Sequence, residues 1–360
     1  MSANPLSQGP GNDTPSPAGP SLSVLDLAPV ADYADHTDAL QTTTVLAQHA
    51  ERWGYRRFWV AEHHAMPAIA SSSPAVLIAH LAAATDTIRV GSGGVMLPNH
   101  APLVVAEQFG MLAALHPGRI DLGIGRAPGT DQRTALALRR TMDGLSAEHF
   151  PAELMDVIGM LSGDPRLLPA TPRATELPQI WLLGSSGFSA QLAGMLGLPF
   201  SFAHHFSARN TEAALALYRE RFTASQWLTE PHVMVAVNAV VADTDERAEY
   251  LARPGIISFL RLRAGHPAAL MHPDEAADYE FSSAELDFAA ERRDGQLLGS
   301  PQTVTEQLAG LIRRTKPDEI MATSQVYDRA DRLRSYELLA GVAGLAGVTS
   351  GEGTNASVTA

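Results

Sequence analysis

No cysteine occurs among the 360 residues. That absence excludes a disulfide scaffold, a zinc–thiolate centre and a cysteine nucleophile. Basic residues are few: 26 Lys and Arg stand against 39 Asp and Glu, for a formal charge of −13. Such a chain is a poor match for nucleic acid or an anionic membrane surface as its main partner. No apolar run reaches the roughly 18 residues of a membrane-spanning helix. The first twenty residues, MSANPLSQGPGNDTPSPAGP, hold no Lys or Arg and no apolar stretch. A secretory signal is therefore not expected, and the segment reads as a disordered tail. Residues 347–360 read as a second flexible tail, and a soluble cytoplasmic protein is expected. What is present is 45% hydrophobic, an ordinary globular fraction on a chain long enough to bury a large core.

Short apolar runs alternate with helical stretches. Strands are expected at Leu22–Leu27, Arg57–Ala61, Ile88–Leu97, Arg119–Ile124, Gln179–Leu183, Pro199–Ala203, Val233–Val241 and Glu319–Ser324. Helices are expected between them, for example from Pro102 to Leu115, with Pro in the first turn. Eight apolar strands with intervening helices predict an α/β fold, a (β/α)8 TIM barrel spanning 21–346. Strands seven and eight are too far apart for one crossover. The excess, about 253–298, predicts an insertion after strand seven, either a lid over one barrel end or a surface elaboration.

In such a barrel the active site lies at the carboxyl ends of the strands. Strand two ends in Glu62-His63-His64, strand three in Ser92-Gly93-Gly94, and strand four in Gly125-Arg126. Strand five runs through Gly184-Ser185-Ser186-Gly187-Phe188-Ser189 straight into a helix. That turn aims backbone N–H groups and hydroxyls at one spot, which suits a phosphate. Arg126 is a candidate cation for the same phosphate. Ser185, Ser186 and Ser189 are equally readable as plain helix caps, and the spaced Gly-Lys-Ser/Thr of a P-loop is missing. Gly93 and Gly94 permit close approach of a flat ligand, or mark a simple bulge. Neighbouring strand residues point to opposite faces, so only one of His63 and His64 can face the interior. The doublet His204-His205 is open to the same two readings.

The segments WVAEHH, VGSGGVMLPNHAPLVVAEQF, GRIDLGIGRAPGT and LLGSS, taken in this order, resemble the bacterial luciferase-like flavin-dependent monooxygenases over roughly Leu22–Leu345. The resemblance implies a barrel with an insertion after strand seven that binds reduced FMN at its carboxyl end. It places His63 beside the flavin as the catalytic residue, following Glu62. It places a cis peptide at Gly93–Gly94 beneath the flavin ring, Arg126 on the FMN phosphate, and Ser185, Ser186 and Ser189 near that phosphate. It implies a small organic substrate, O2, a separate flavin reductase and a homodimer, for which the Val104-Val105 and Met111-Leu112 stretch is suited. Luciferase proper has a reactive thiol that this chain lacks, so bioluminescence is not implied.

Three alternatives stand beside this reading. Related barrels use the deazaflavin F420 for hydride transfer, and some relatives bind flavin without turnover. A metal-dependent hydrolase would need histidines spaced His-x-His on one face; here the pairs are adjacent, and no metal is expected.

Overall fold

The computed structural model describes residues 19–127, 132–139 and 148–345. Both expected tails lie largely or wholly outside these residues, as does the end of the turn after strand four. In chain order the elements are β1 (Ser21–Asp26), α1 (His36–Arg52), β2 (Arg57–Val60), α2 (Pro74–Ala83), β3 (Arg89–Met96), α3 (Pro102–Leu115) and β4 (Ile120–Gly125). There follow α4 (Gln132–Arg139), α5 (Phe150–Ser162), β5 (Gln179–Gly184), α6 (Gly187–Leu196), β6 (Phe200–Ala203), α7 (His204–Ser207) and α8 (Thr211–Arg221). The last third holds β7 (Val233–Val241), α9 (Asp245–Arg263), α10 (Pro273–Ala277), α11 (Ser283–Asp294), β8 (Gln296–Gly299), α12 (Pro301–Thr315), β9 (Glu319–Thr323) and α13 (Arg329–Val342).

Eight strands close a parallel TIM barrel in the order β1-β2-β3-β4-β5-β6-β7-β9, with β9 pairing back to β1. The ninth strand, β8, was not expected. It lies outside the ring and pairs in parallel with the far end of β7, Asn238 to Val241 against Gln296 to Gly299. The excursion after β7 also begins earlier than expected, because α9 starts at Asp245 and carries Pro254 within it. A proline removes one backbone donor and usually signals a helix boundary; here the helix continues past it.

Local chemistry explains where the helices begin and end. Asp35 and Asp38 form a reciprocal capping box at the start of α1. Pro74 and Pro102 occupy the first turns of α2 and α3. Gly163 and Gly197 end α5 and α6 in the left-handed conformation.

Strand alternation sorts the side chains into two sets. Val24, Phe58, Val60, Val90, Leu122, Ile180 and Phe200 face outward into the layer beneath the helices. Leu25, Trp59, Ala61, Trp181, Met234, Ala236 and Met321 fill the interior. Trp59 and Trp181 meet edge to face there, centroids 5.4 Å apart, a geometry worth about 0.5–1.5 kcal/mol beyond the area it buries.

The amino-terminal end of the barrel is closed by charge. Fully buried Arg57 donates Nε to Glu319 at 3.0 Å and Nη1 to Asp121 at 2.8 Å and Gln179 at 2.9 Å. Asp121 also accepts from Trp59 Nε1 at 2.9 Å and from Arg89. Every charge in this floor has an opposite partner, the condition under which buried ions are tolerated.

Candidate functional site

Three residues beyond β2, the chain divides its side chains as alternation requires. His63 continues the interior row of Trp59 and Ala61, while Glu62 and His64 share the other side. Glu62 is fully buried, and its Oε1 lies 2.8 Å from Nε2 of His64 and 2.8 Å from Nε2 of His100. Asn99 Nδ2 donates to the same oxygen at 3.3 Å, and the Met96 N–H donates to Oε2 at 2.9 Å. Burial alone would raise the Glu62 pKa; the bonds from His100, His64 and Met96 outweigh it and hold the carboxyl below its ordinary value. This one carboxylate ties the ends of β2 and β3 together. His100 and Asn99, which follow β3 in LPNH, were not read from the sequence as site residues.

Glu62, His64 and His100 are also the one group among the described residues whose ligand atoms lie within 4.8 Å of one another. Zinc bonds of about 2.0–2.1 Å set tetrahedral ligand atoms roughly 3.3 Å apart. The observed 2.8 Å separations from Glu62 are hydrogen-bond distances.

His63 is held by its backbone, which donates to Ser71 O at 3.0 Å. Its Nδ1 is buried and has no hydrogen-bond partner. Burial pushes its pKa down to about 4, against a smaller upward pull from Glu62, so the imidazole is neutral at pH 7. His205 lies close enough to feel its charge. The His205 Nδ1 donates to Ala236 O at 3.0 Å, which fixes the tautomer and leaves Nε2 as the basic nitrogen. Burial lowers His205 to about 4 as well. His204 points elsewhere, with Nδ1 2.7 Å from the Thr211 hydroxyl. The doublet therefore splits, one ring toward the barrel mouth and the other into the wall.

At β3 the Gly93–Gly94 peptide is cis, and the pairing with β4 shifts register between Gly93 and Val95. A Cβ on Gly93 would sit 2.6 Å from Leu25 Cδ1, and one on Gly94 would sit 2.8 Å from Gly123 O. A side chain at Gly94 would press on backbone, whereas one at Gly93 would require the Leu25 side chain to move.

Across the mouth, Arg126 stacks its guanidinium on Phe188, 4.4 Å from the ring centroid. Phe188 belongs to the first turn of α6, whose N–H groups have no intrahelical acceptor. Ser186 is the extended N-cap residue, yet its hydroxyl makes no capping bond. Ser185 is exposed, while Ser189 is only 3% exposed and packs against Gly184. The donors at this turn include Arg126, Ser185, Ser186 and backbone amides, while Ser189 lies buried against Gly184. No carboxylate among the described residues pairs with Arg126.

Among the described residues, no helix is long and apolar enough to cross a membrane. The sequence model of the family described as luciferase-like monooxygenase matches residues 21–318. A luciferase-like monooxygenase of Escherichia coli (strain K12) is 45% identical over 321 residues, covering 88% of this chain and 95% of that one. The N-acetyl-S-alkylcysteine monooxygenase of Bacillus subtilis (strain 168) is 35% identical over 337 residues, covering 88% and 96%. The crystal structure of apo-MsnO8 superposes with a TM-score of 0.82 at 36% identity, covering 91% of this chain and 99% of that one. The barrel, the strand-end residues gathered at its mouth and these matches along most of the chain lead to one conclusion: the chain belongs to the luciferase-like monooxygenase family.

Proposed function

We propose that this protein uses reduced FMN and O2 to oxygenate a small organic substrate. The observation that carries the reading is the donor set on one rim of the mouth. Arg126, the Ser185 and Ser186 hydroxyls and the free N–H groups of α6 converge there with no acidic partner among the described residues. A dianionic phosphate matches that set in charge and in hydrogen-bond sense. Gly93 and Gly94 leave the neighbouring strand bare, which suits a flat ring.

Reduced FMN, when bound, supplies the activation of dioxygen. The chain's own residues bind, orient and handle protons. Arg126 and the α6 amides hold the phosphate. Glu62 fixes the ends of β2 and β3 through His64, His100 and Met96. His63, neutral at pH 7, accepts or returns a proton at an imidazole nitrogen. The helices after β7 exclude water from the mouth. Reduced flavin arrives from a separate reductase. The chain acts as a cytoplasmic homodimer through α2 and α3, where Val76, Val104, Met111 and Leu115 are exposed.

Titration of FMN and riboflavin against wild type and Arg126→Ala tests the reading. The substitution is expected to weaken FMN by about one to two decades, the worth of a charge-assisted contact of about 1.5–3 kcal/mol, and to leave riboflavin unchanged. Equal losses for both flavins would remove the phosphate role. Failure of wild type to bind either flavin would remove the function.

A further inference from the structure

A second cation faces the mouth from the opposite side. Arg292, near the end of α11, lies flat on Phe259 of α9, 3.8 Å from the ring centroid, and its Nη1 donates to His205 O at 3.3 Å. No carboxylate among the described residues pairs with it. Burial lowers its pKa to about 10, with no acidic neighbour to restore it. A largely desolvated, uncompensated cation is costly to keep.

Beside it, Asn238 of β7 and Thr323 of β9 stand directly opposite each other in the parallel register. Both continue interior rows, Met234-Ala236-Asn238 and Glu319-Met321-Thr323. Asn238 Nδ2 and the Thr323 hydroxyl are buried without a hydrogen-bond partner, as is the neighbouring Ser324 hydroxyl. Thr323 is 3% exposed and Ser324 4%. Native structures rarely leave such groups unmatched. Arg292, Asn238, Thr323 and Ser324 line one small cavity of about 20 Å3, roofed by Gly255 and Ile256 of α9. What converges is a cation and uncharged hydrogen-bonding groups, Gln296 and Gln325 included, with no carboxylate in the lining. The space takes one small polar group, so the rest of any ligand must lie outside it. His205 adjoins this space through its backbone oxygen, which accepts from Arg292.

From this geometry we infer that Arg292, Asn238 and Thr323 form a subsite for an anionic headgroup, a carboxylate, on the organic substrate. The inference rests on the monooxygenase reading for the word substrate, but its anion chemistry is tested separately. It makes Arg292 a specificity residue delivered by the segment between β7 and β8.

The probes are octanoate and its neutral counterpart octanamide, titrated calorimetrically into the full-length protein, with FMN and inorganic phosphate in parallel. Wild type is expected to prefer octanoate by about tenfold to a hundredfold, the range for one charge-assisted contact. Arg292→Gln should abolish that preference, Arg292→Lys should restore part of it, and neither should change FMN binding. Thr323→Val guards against a folding defect in the Arg292 variants. It removes an unpartnered buried hydroxyl, so it should melt at the same or higher temperature while weakening octanoate several-fold. Equal binding of octanoate and octanamide by wild type overturns the subsite, and so does a preference that survives Arg292→Gln. If Arg292→Gln weakens FMN and phosphate but spares octanoate, the anion is the flavin's phosphate and the substrate assignment fails. A wild type that prefers octanoate but binds no FMN would sink the flavin reading and leave the subsite standing.

Discussion

His63 gives the chain a measurable sensitivity to acid. Burial holds its folded pKa at about 4, below the ordinary 6.5. An imidazole whose folded pKa lies below its unfolded one binds fewer protons when folded. Stability present above pH 6.5 is therefore lost as pH falls toward 4, and the loss stops accumulating there. Between pH 7 and pH 5 the unfolded chain takes up most of one proton at this residue, and the folded chain takes up little. With 1.36 kcal/mol per pKa unit, the difference integrates to about 2 kcal/mol. His204 and His205 are held at about 4 mainly by their own burial, so they lower stability in the same direction over that interval. Urea unfolding at pH 7 and pH 5, followed by far-UV circular dichroism, reads the loss directly. His63→Asn keeps a planar polar group but cannot titrate. It should lose about 2 kcal/mol less than wild type between the two pH values, whatever its stability at pH 7. If variant and wild type lose the same amount, His63 is not the buried neutral imidazole described above, and the proton role assigned to it falls with that description.

Three further outcomes follow from the same geometry. Glu62→Gln keeps the shape of the side chain but cannot serve two imidazoles, an amide and a backbone N–H at once; urea unfolding should show a loss of about 2–4 kcal/mol. Gly94→Ala puts a methyl 2.8 Å from Gly123 O and should cost about 1–3 kcal/mol, with FMN affinity falling alongside; unaltered binding would show that the strand is not pressed against a ring. Met111→Glu adds charge to a half-exposed apolar face of α3 and should shift the particle mass in light scattering from dimer to monomer without changing the far-UV spectrum.

The eight barrel strands were legible because each is buried on both faces and leaves an apolar run in the sequence, as RFWV and VMVAVNAVV do. β8 was not, since QLLG carries only two neighbouring apolar residues and lies in the stretch read as an insertion. α9 was obscured by Pro254, which reads as a stop. α12 shows helical spacing at Val304, Leu308 and Leu311, but it follows the long gap and went unassigned. At the site, alternation put His63 on the side opposite to Glu62 and His64, and the resemblance supplied the cis peptide at Gly93–Gly94 that the structure has. The burial of Ser189 was not legible, because a hydroxyl at a helix start looks alike in sequence whether it is exposed or packs on Gly184. Arg292, Asn238 and Thr323 could not have been found by pattern at all. They lie on α11, β7 and β9 and meet only because β7 and β9 are neighbours in the closed ring.

The unexpected pairing of β8 with the end of β7 changes how the intervening fifty or so residues should be regarded. Asn238 to Val241 and Gln296 to Gly299 run side by side in fixed register, so α9, α10 and α11 leave and re-enter the barrel at one anchored point. Chain of that length hung between distant supports would disturb the frame when altered. Between adjacent, hydrogen-bonded supports its length is nearly free, because loop closure depends only weakly on length. The segment is thus an exchangeable cassette. Swapping it between relatives at the β7 and β8 boundaries should transfer substrate choice while the Arg57 floor and the strand ends at Glu62, Gly93 and Arg126 stay where they are.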